Sequence, residues 1–96
     1  MSVIIGEVTT IPRYEKCDKE QVMKLFEEAS EIYNVYEVAR KFGYSLEAGG
    51  TTRENLEDEA ADLITALCDL LAGAGITDMT AALERCVERN KERGRL

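Results

Sequence analysis

Apolar residues recur along the chain in three runs with helical spacing. In the first, Val22, Leu25, Phe26, Ala29, Ile32, Tyr33, Tyr36 and Ala39 follow one another at steps of three and four, the signature of an amphipathic helix. Val35 and Val38 lie off that stripe, so the helix is expected to pack on two sides, as in a bundle or a dimer. Asp18 followed by Gln21 has capping-box spacing and predicts a start near Asp18. After a loop over residues 43–50, Thr51 with Glu54 repeats that spacing. A second stripe then runs through Leu56, Ala60, Leu63, Ile64, Leu67, Leu70, Leu71 and Ala74, and Gly73 and Gly75 end it. Asp78 is the expected cap of a third helix, whose apolar face is Met79, Ala82, Leu83, Cys86 and Val87. Residues 1–12, MSVIIGEVTTIP, read as a short strand or extended arm that must pair or pack to satisfy its edges.

The expected fold class is therefore all-α: a small helical bundle with a short extended N-terminal arm, completed by oligomerisation. A single domain over 1–96 is expected, with the arm at 1–17 and the helical core at 18–93. At 96 residues the chain alone buries only roughly 60% of its unfolded-chain surface, which leaves apolar area for a subunit interface. No stretch reaches the roughly 18 apolar residues of a membrane span, and the N-terminal apolar run lacks the basic start of a signal peptide.

Charge narrows the chemistry. The net charge of −7 disfavours non-specific nucleic-acid binding, which depends on neutralising phosphates. The sequence has no histidine, so the commonest general base and transition-metal ligand are missing. Catalysis would have to rest on carboxylates, lysine, tyrosine, cysteine or a hard metal ion. Cys17, Cys68 and Cys86 are odd in number and widely spaced, which matches neither a disulfide framework nor a zinc site. Cys68 and Cys86 read as structural thiols on apolar stripes, and a reducing cytoplasm is the expected location. Residues 54–84 hold eight acidic residues and no basic one, whereas 85–96 hold five basic residues against two acidic ones. An acidic helix beside a basic tail suits a site for metal and phosphate together, although a solvated helix face has the same composition.

Two carboxylate pairs stand out. Glu28 and Glu31 on the first helix, and Glu59 and Asp62 on the second, are each three residues apart, so each pair occupies one helix face. Both pairs border an apolar stripe, and two antiparallel helices packed along those stripes would bring them to the same flank. Carboxylates held close repel unless cations neutralise them, and hard oxygen donors suit magnesium or manganese. Spacing alone is unspecific, since solvated acidic helices produce it constantly.

The ordering of these motifs adds to the picture. Glu27-Glu28-Ala29-Ser30-Glu31 is followed after 27 residues by Glu59-Ala60-Ala61-Asp62 and a hydrophobic run. A glycine turn at Gly75-Ile76-Thr77-Asp78 then leads to a helix closing in Glu88-Arg89-Asn90-Lys91-Glu92-Arg93. In that order the chain, over roughly residues 21–93, resembles the MazG-like, all-α nucleotide pyrophosphohydrolases. The resemblance implies a helical protein that assembles as a homodimer or homotetramer. It also implies hydrolysis of a nucleoside triphosphate between its α- and β-phosphates, giving a nucleoside monophosphate and pyrophosphate. It implies Mg2+, or Mn2+ in its place, held by Glu28, Glu31, Glu59 and Asp62. Glu27 and Glu28 are implied as catalytic groups, Glu27 as an outer-shell residue or the base that orients water. Asn90, with Lys91 or Arg93, is implied in contact with substrate phosphates. Asn90 occupies a stripe position where an apolar residue would be expected, which is also consistent with a solvated helix end.

The motif E-A-A-D-L also resembles phosphoribosyl-ATP pyrophosphohydrolase, of the same superfamily. That enzyme typically carries a histidine shortly after the motif, and this chain has none. A dimeric dUTP-specific member is a further alternative. A different class altogether is a non-enzymatic helical module whose acidic face binds a basic protein. Neither nucleic acid nor a membrane is an expected partner. Tyr33, Tyr36 and Phe42 are candidates for base contacts as well as for the core.

Overall fold

The computed structural model describes residues 16–94, and every helix expected from the sequence is present in it. These are α1 (Lys19–Lys41), α2 (Thr51–Gly73) and α3 (Thr80–Glu92). The described residues contain no strand. The expected arm at 1–12 lies outside them; of the wider 1–17 segment only Lys16 and Cys17 fall within.

Helix starts follow side-chain chemistry in two of three cases. The Asp18 carboxylate accepts the Gln21 amide at 2.9 Å and opens α1 as the spacing predicts. Helix α2 begins differently: Gly50 occupies the cap with φ +70°, and Thr51 is already the first helical residue. At α3 the Asp78 carboxylate accepts both the amide and the hydroxyl of Thr80, at 2.9 and 2.7 Å, and so caps the helix from one position further out than expected. Those two bonds hold its carboxyl below the usual range, the backbone amide contributing most. The ends of α1 and α2 share one device. Gly43 and Gly75 take positive φ, their amides reach back to Arg40 and Ala72, and the next amides reach Ala39 and Leu71.

α1 and α2 form an antiparallel pair. The Gln21 side-chain amide, near the start of α1, donates to the Ala66 carbonyl, near the end of α2, at 3.0 Å. The face of α1 turned to α2 is Gln21, Leu25, Glu28, Ile32, Val35 and Ala39, all buried or half-buried. Steps of four and three make this a coiled-coil-like seam. The corresponding line on α2 is Leu56, Glu59, Leu63, Ala66 and Leu70. The single broad stripe expected on the first helix is thus two. Val35 belongs to the packed seam, whereas Val22, Phe26, Ala29, Tyr33 and Tyr36 lie about 100° round the helix and stay exposed.

α2 has a second line as well: Ala60, Ile64, Leu67 and Leu71, about 90° from its packed seam. Because the two helices run in opposite directions, the same sense of rotation on each carries both second lines to one side of the pair. Glu31 and Asp62 rotate the other way, to the opposite side. The pair therefore has an apolar face and a carboxylate face. No large side chain among the described residues is fully buried. α3 makes no contact with α1 or α2, and Leu83 on its apolar stripe is 60% exposed. Gly73 admits the incoming chain: a Cβ there would overlap the backbone of Lys16 and Cys17. None of the described helices is long and apolar enough to cross a membrane.

Candidate metal centre

Glu28 and Glu59 occupy positions in the α1–α2 seam where the pattern otherwise places leucine, isoleucine or alanine. Glu28 lies between Leu25 and Ile32, and Glu59 between Leu56 and Leu63. The packing that closes the seam consequently drives the two carboxylates together from opposite helices. Asp62, one turn beyond Glu59, joins them from the carboxylate face. One oxygen from each of Glu28, Glu59 and Asp62 lies within 4.8 Å of the others. Glu28 and Glu59 are half-buried and Asp62 is exposed, so the cluster has a floor and an open side.

The electrostatics are unbalanced. Glu59 has its carboxyl pushed above the ordinary glutamate value, first by burial and then by the charges of Asp62, Glu31, Glu28 and Asp58. Among the described residues, Lys24 is the cation ion-paired with this group: its ammonium stands 3.2 Å from Glu28 and 3.5 Å from Glu27. Its pKa is raised, chiefly by the hydrogen bond to Glu28. A single exposed ammonium cannot neutralise three converging carboxylates with two more acids nearby. A divalent cation can, and the donor set fits one: all oxygen, all anionic, open on one side for water or phosphate. Octahedral magnesium, with oxygens about 2.1 Å away, needs neighbouring ligand oxygens roughly 3–4 Å apart.

The other residues singled out in the sequence are placed as follows. Glu31 contributes to the negative field at Glu59 and lines a groove with it, but it stands outside the group of three convergent oxygens. The Glu27 side chain is 68% exposed and turns to Lys24 rather than into the cluster. On α3, the Asn90 amide donates to the Cys86 sulfur at 3.7 Å and the Lys91 ammonium pairs with Glu88 at 3.4 Å. Arg93 closes the same helix. Since α3 does not touch α1 or α2, one chain does not bring these three to the carboxylates. Cys68 and Cys86 are half-buried free thiols and Cys17 is exposed.

Two buried polar residues near the cluster were not among the site residues expected from the sequence. Gln21 and Asp69 are both buried, and both line the groove that also holds Glu28 and Asp62. Asp69 lies two turns beyond Asp62 on one helix face, so its spacing was the available signal. A comparison with known protein families, curated proteins and solved structures gives no match.

Proposed function

We propose that this chain is a divalent-cation-dependent nucleotide pyrophosphohydrolase of the MazG-like kind, releasing a nucleoside monophosphate and pyrophosphate. The observation that carries the reading is the convergence of Glu28, Glu59 and Asp62 from two helices onto one point. These are three of the four ligands that the motif order implies. Glu31, one turn along α1 from Glu28, is the fourth. When bound, magnesium or manganese would offset the charge of the triphosphate and make water a better nucleophile at neutral pH.

The chain's own residues do the rest. The packed seam fixes Glu28 and Glu59 in position, so no reorganisation is needed when the anionic substrate arrives. Asp62, at the open side, faces the place where substrate and water enter. Lys24 bridges Glu27 and Glu28 and limits their repulsion. Glu27, at the solvent edge, would serve as an outer-shell residue or as the base that orients water.

The same proposal has the protein work as a homodimer or homotetramer. A second copy is the natural occupant of the apolar face, because each copy presents the same two seams at coiled-coil spacing. Two such pairs stacked through those seams make a four-helix bundle. That arrangement covers Phe26, Tyr33, Ile64 and Leu67 and leaves the carboxylate face open. The phosphate contacts that the motif order implies for Asn90, Lys91 and Arg93 would have to come from a partner subunit, since α3 does not bring them to the carboxylates within one chain.

A panel of nucleoside triphosphates, assayed with magnesium for pyrophosphate and for orthophosphate, tests the reaction. Pyrophosphate with a monophosphate, abolished by chelator, is expected. A nucleoside diphosphate with orthophosphate would contradict it.

A further inference from the structure

The carboxylate face carries two grooves that meet at the cluster. One, of about 560 Å³, includes Glu28 and Asp62 and extends past Lys24 and Asp69 to Lys16. The other, of about 390 Å³, includes Glu31 and Glu59 and extends to the α1–α2 loop past Asn34, Val38, Thr52 and Asn55 to Phe42 and Tyr44. Their chemistry differs sharply. The first is lined mainly by charged groups, with Lys16 and Lys24 among five acids. Beyond Glu31 and Glu59, the second has no charged lining group among the described residues. Its walls are two aromatic rings, aliphatic carbon, two amides and two threonine hydroxyls.

We propose that the groove between Asn34 and Asn55 binds the base and sugar of a nucleotide whose phosphates lie at Glu28, Glu59 and Asp62. The substrate then lies along the helix pair with its polyphosphate directed to the Lys16–Lys24 end. This rests on the pyrophosphohydrolase reading and adds the substrate's position and polarity to it.

Three observations converge. The first is size: small-molecule pockets span about 300–1,000 Å³, and the groove falls within that range. The second is surface chemistry. A nucleobase has two apolar faces and a rim of donors and acceptors. Phe42 and Tyr44 are 72% and 61% exposed, which leaves ring surface free for stacking. Each asparagine amide both donates and accepts, so Asn34 and Asn55 can pair with a base edge or a sugar hydroxyl. The third is register. Asn34 lies three residues after Glu31, and Asn55 four before Glu59, so helical geometry sets each amide one turn from a carboxylate on the same flank. A ligand anchored at the carboxylates through a cation reaches both amides without leaving the face.

The assignment also explains why the two grooves would not be interchangeable. A neutral base gains little beside Lys16, Asp18, Glu20 and Asp69, whereas a released pyrophosphate finds in Lys16 and Lys24 cations that the other groove lacks among the described residues.

The test is magnesium-dependent binding to the isotopically labelled full chain, followed by NMR. The probes are α,β-methylene analogues of the common nucleoside triphosphates, with inorganic tripolyphosphate as the base-free control. At least one nucleotide is expected to shift the amide signals of Asn34, Phe42, Tyr44 and Asn55, and tripolyphosphate to leave those four in place. Phe42→Ala and Asn55→Leu should each weaken that nucleotide by about ten- to a hundredfold while tripolyphosphate affinity holds. Tripolyphosphate binding as tightly as every nucleotide, or nucleotide shifts confined to the Lys16–Asp69 groove, would overturn the nucleoside pocket and leave the metal–phosphate site standing. Binding of neither probe would overturn the pyrophosphohydrolase reading and the pocket with it.

Discussion

Replacing Phe26 with alanine probes the apolar face and its assigned occupant. Phe26 is 64% exposed in the single chain, so about two-thirds of its surface is left for a partner to cover. Full burial of a phenylalanine side chain is worth about 3 kcal/mol at the upper end, so this remaining share comes to about 2 kcal/mol per copy. In a two-fold symmetric dimer the substitution occurs twice, which brings the loss to about 4 kcal/mol per dimer. At about 1.4 kcal/mol per decade, the dimer dissociation constant should rise roughly a thousandfold. Sedimentation equilibrium over a wide concentration range reads this directly, with helicity followed by circular dichroism at high concentration to confirm that the chain still folds. Phe42→Ala is the control, because Phe42 is more exposed (72%) yet lies on the carboxylate side of α1. An assembly unchanged by Phe26→Ala, or weakened as much by Phe42→Ala, would refute the placement of the interface. A monomeric wild-type protein at high concentration would refute the interface itself.

Other perturbations give signed outcomes. Because burial and neighbouring charge hold the Glu59 carboxyl above its unfolded value, the folded state binds more protons than the unfolded state between those two values. Glu59 therefore favours the fold most at acid pH, and that contribution is lost as pH rises through its folded value. In chelator, Glu59→Gln should melt at or above the wild-type temperature at neutral pH, with the gap closing as pH falls; a variant that melts clearly lower would contradict the repulsion. Gly73→Ala would ordinarily stabilise a helix by up to about 1 kcal/mol. Here the new methyl meets the Lys16–Cys17 backbone, and overpacking of about 1–3 kcal/mol should outweigh that gain and lower the melting temperature. An unchanged or higher melting temperature would show that the incoming chain can step aside freely.

The positions of the helices were legible because each apolar run is long and flanked by turn chemistry. Asp18 and the glycine turns at Gly43 and Gly75 mark boundaries with a physical cause, and the structure uses them. The split of the first stripe was harder to see. Val22 and Leu25 look equivalent in a list of apolar residues, yet they lie about 60° apart round the helix, and one packs while the other stays exposed. The preference of α2 for Gly50 over Thr51 at its cap reflects the left-handed turn of the loop, which spacing does not encode.

At the site, the sequence identified Glu28, Glu59 and Asp62 as partners because flanking positions on two antiparallel stripes must meet. It did not rank Glu31 below them. That ranking follows from rotation: Glu28 lies in the seam, whereas Glu31 is turned about 60° further toward the carboxylate face. Of the groove ending at Phe42 and Tyr44, the sequence offered Phe42 alone, as one of three candidate base contacts. The groove forms where the end of α1, the start of α2 and Tyr44 come together, a tertiary feature invisible to local spacing.

Glu28, Glu59 and Asp62 are proposed to act as one divalent-cation site. Titration with Mn2+, with free ion followed by electron paramagnetic resonance, tests it without assuming any reaction. Saturable binding is expected in the wild-type chain, lost or strongly weakened in each of Glu28→Gln, Glu59→Gln and Asp62→Asn. Glu57→Gln, an equal change of charge at an exposed position on α2, should leave it intact. Equal weakening in all four variants would mean that the ion senses only net charge, and undiminished binding in the first three would place it elsewhere; either result would contradict the site.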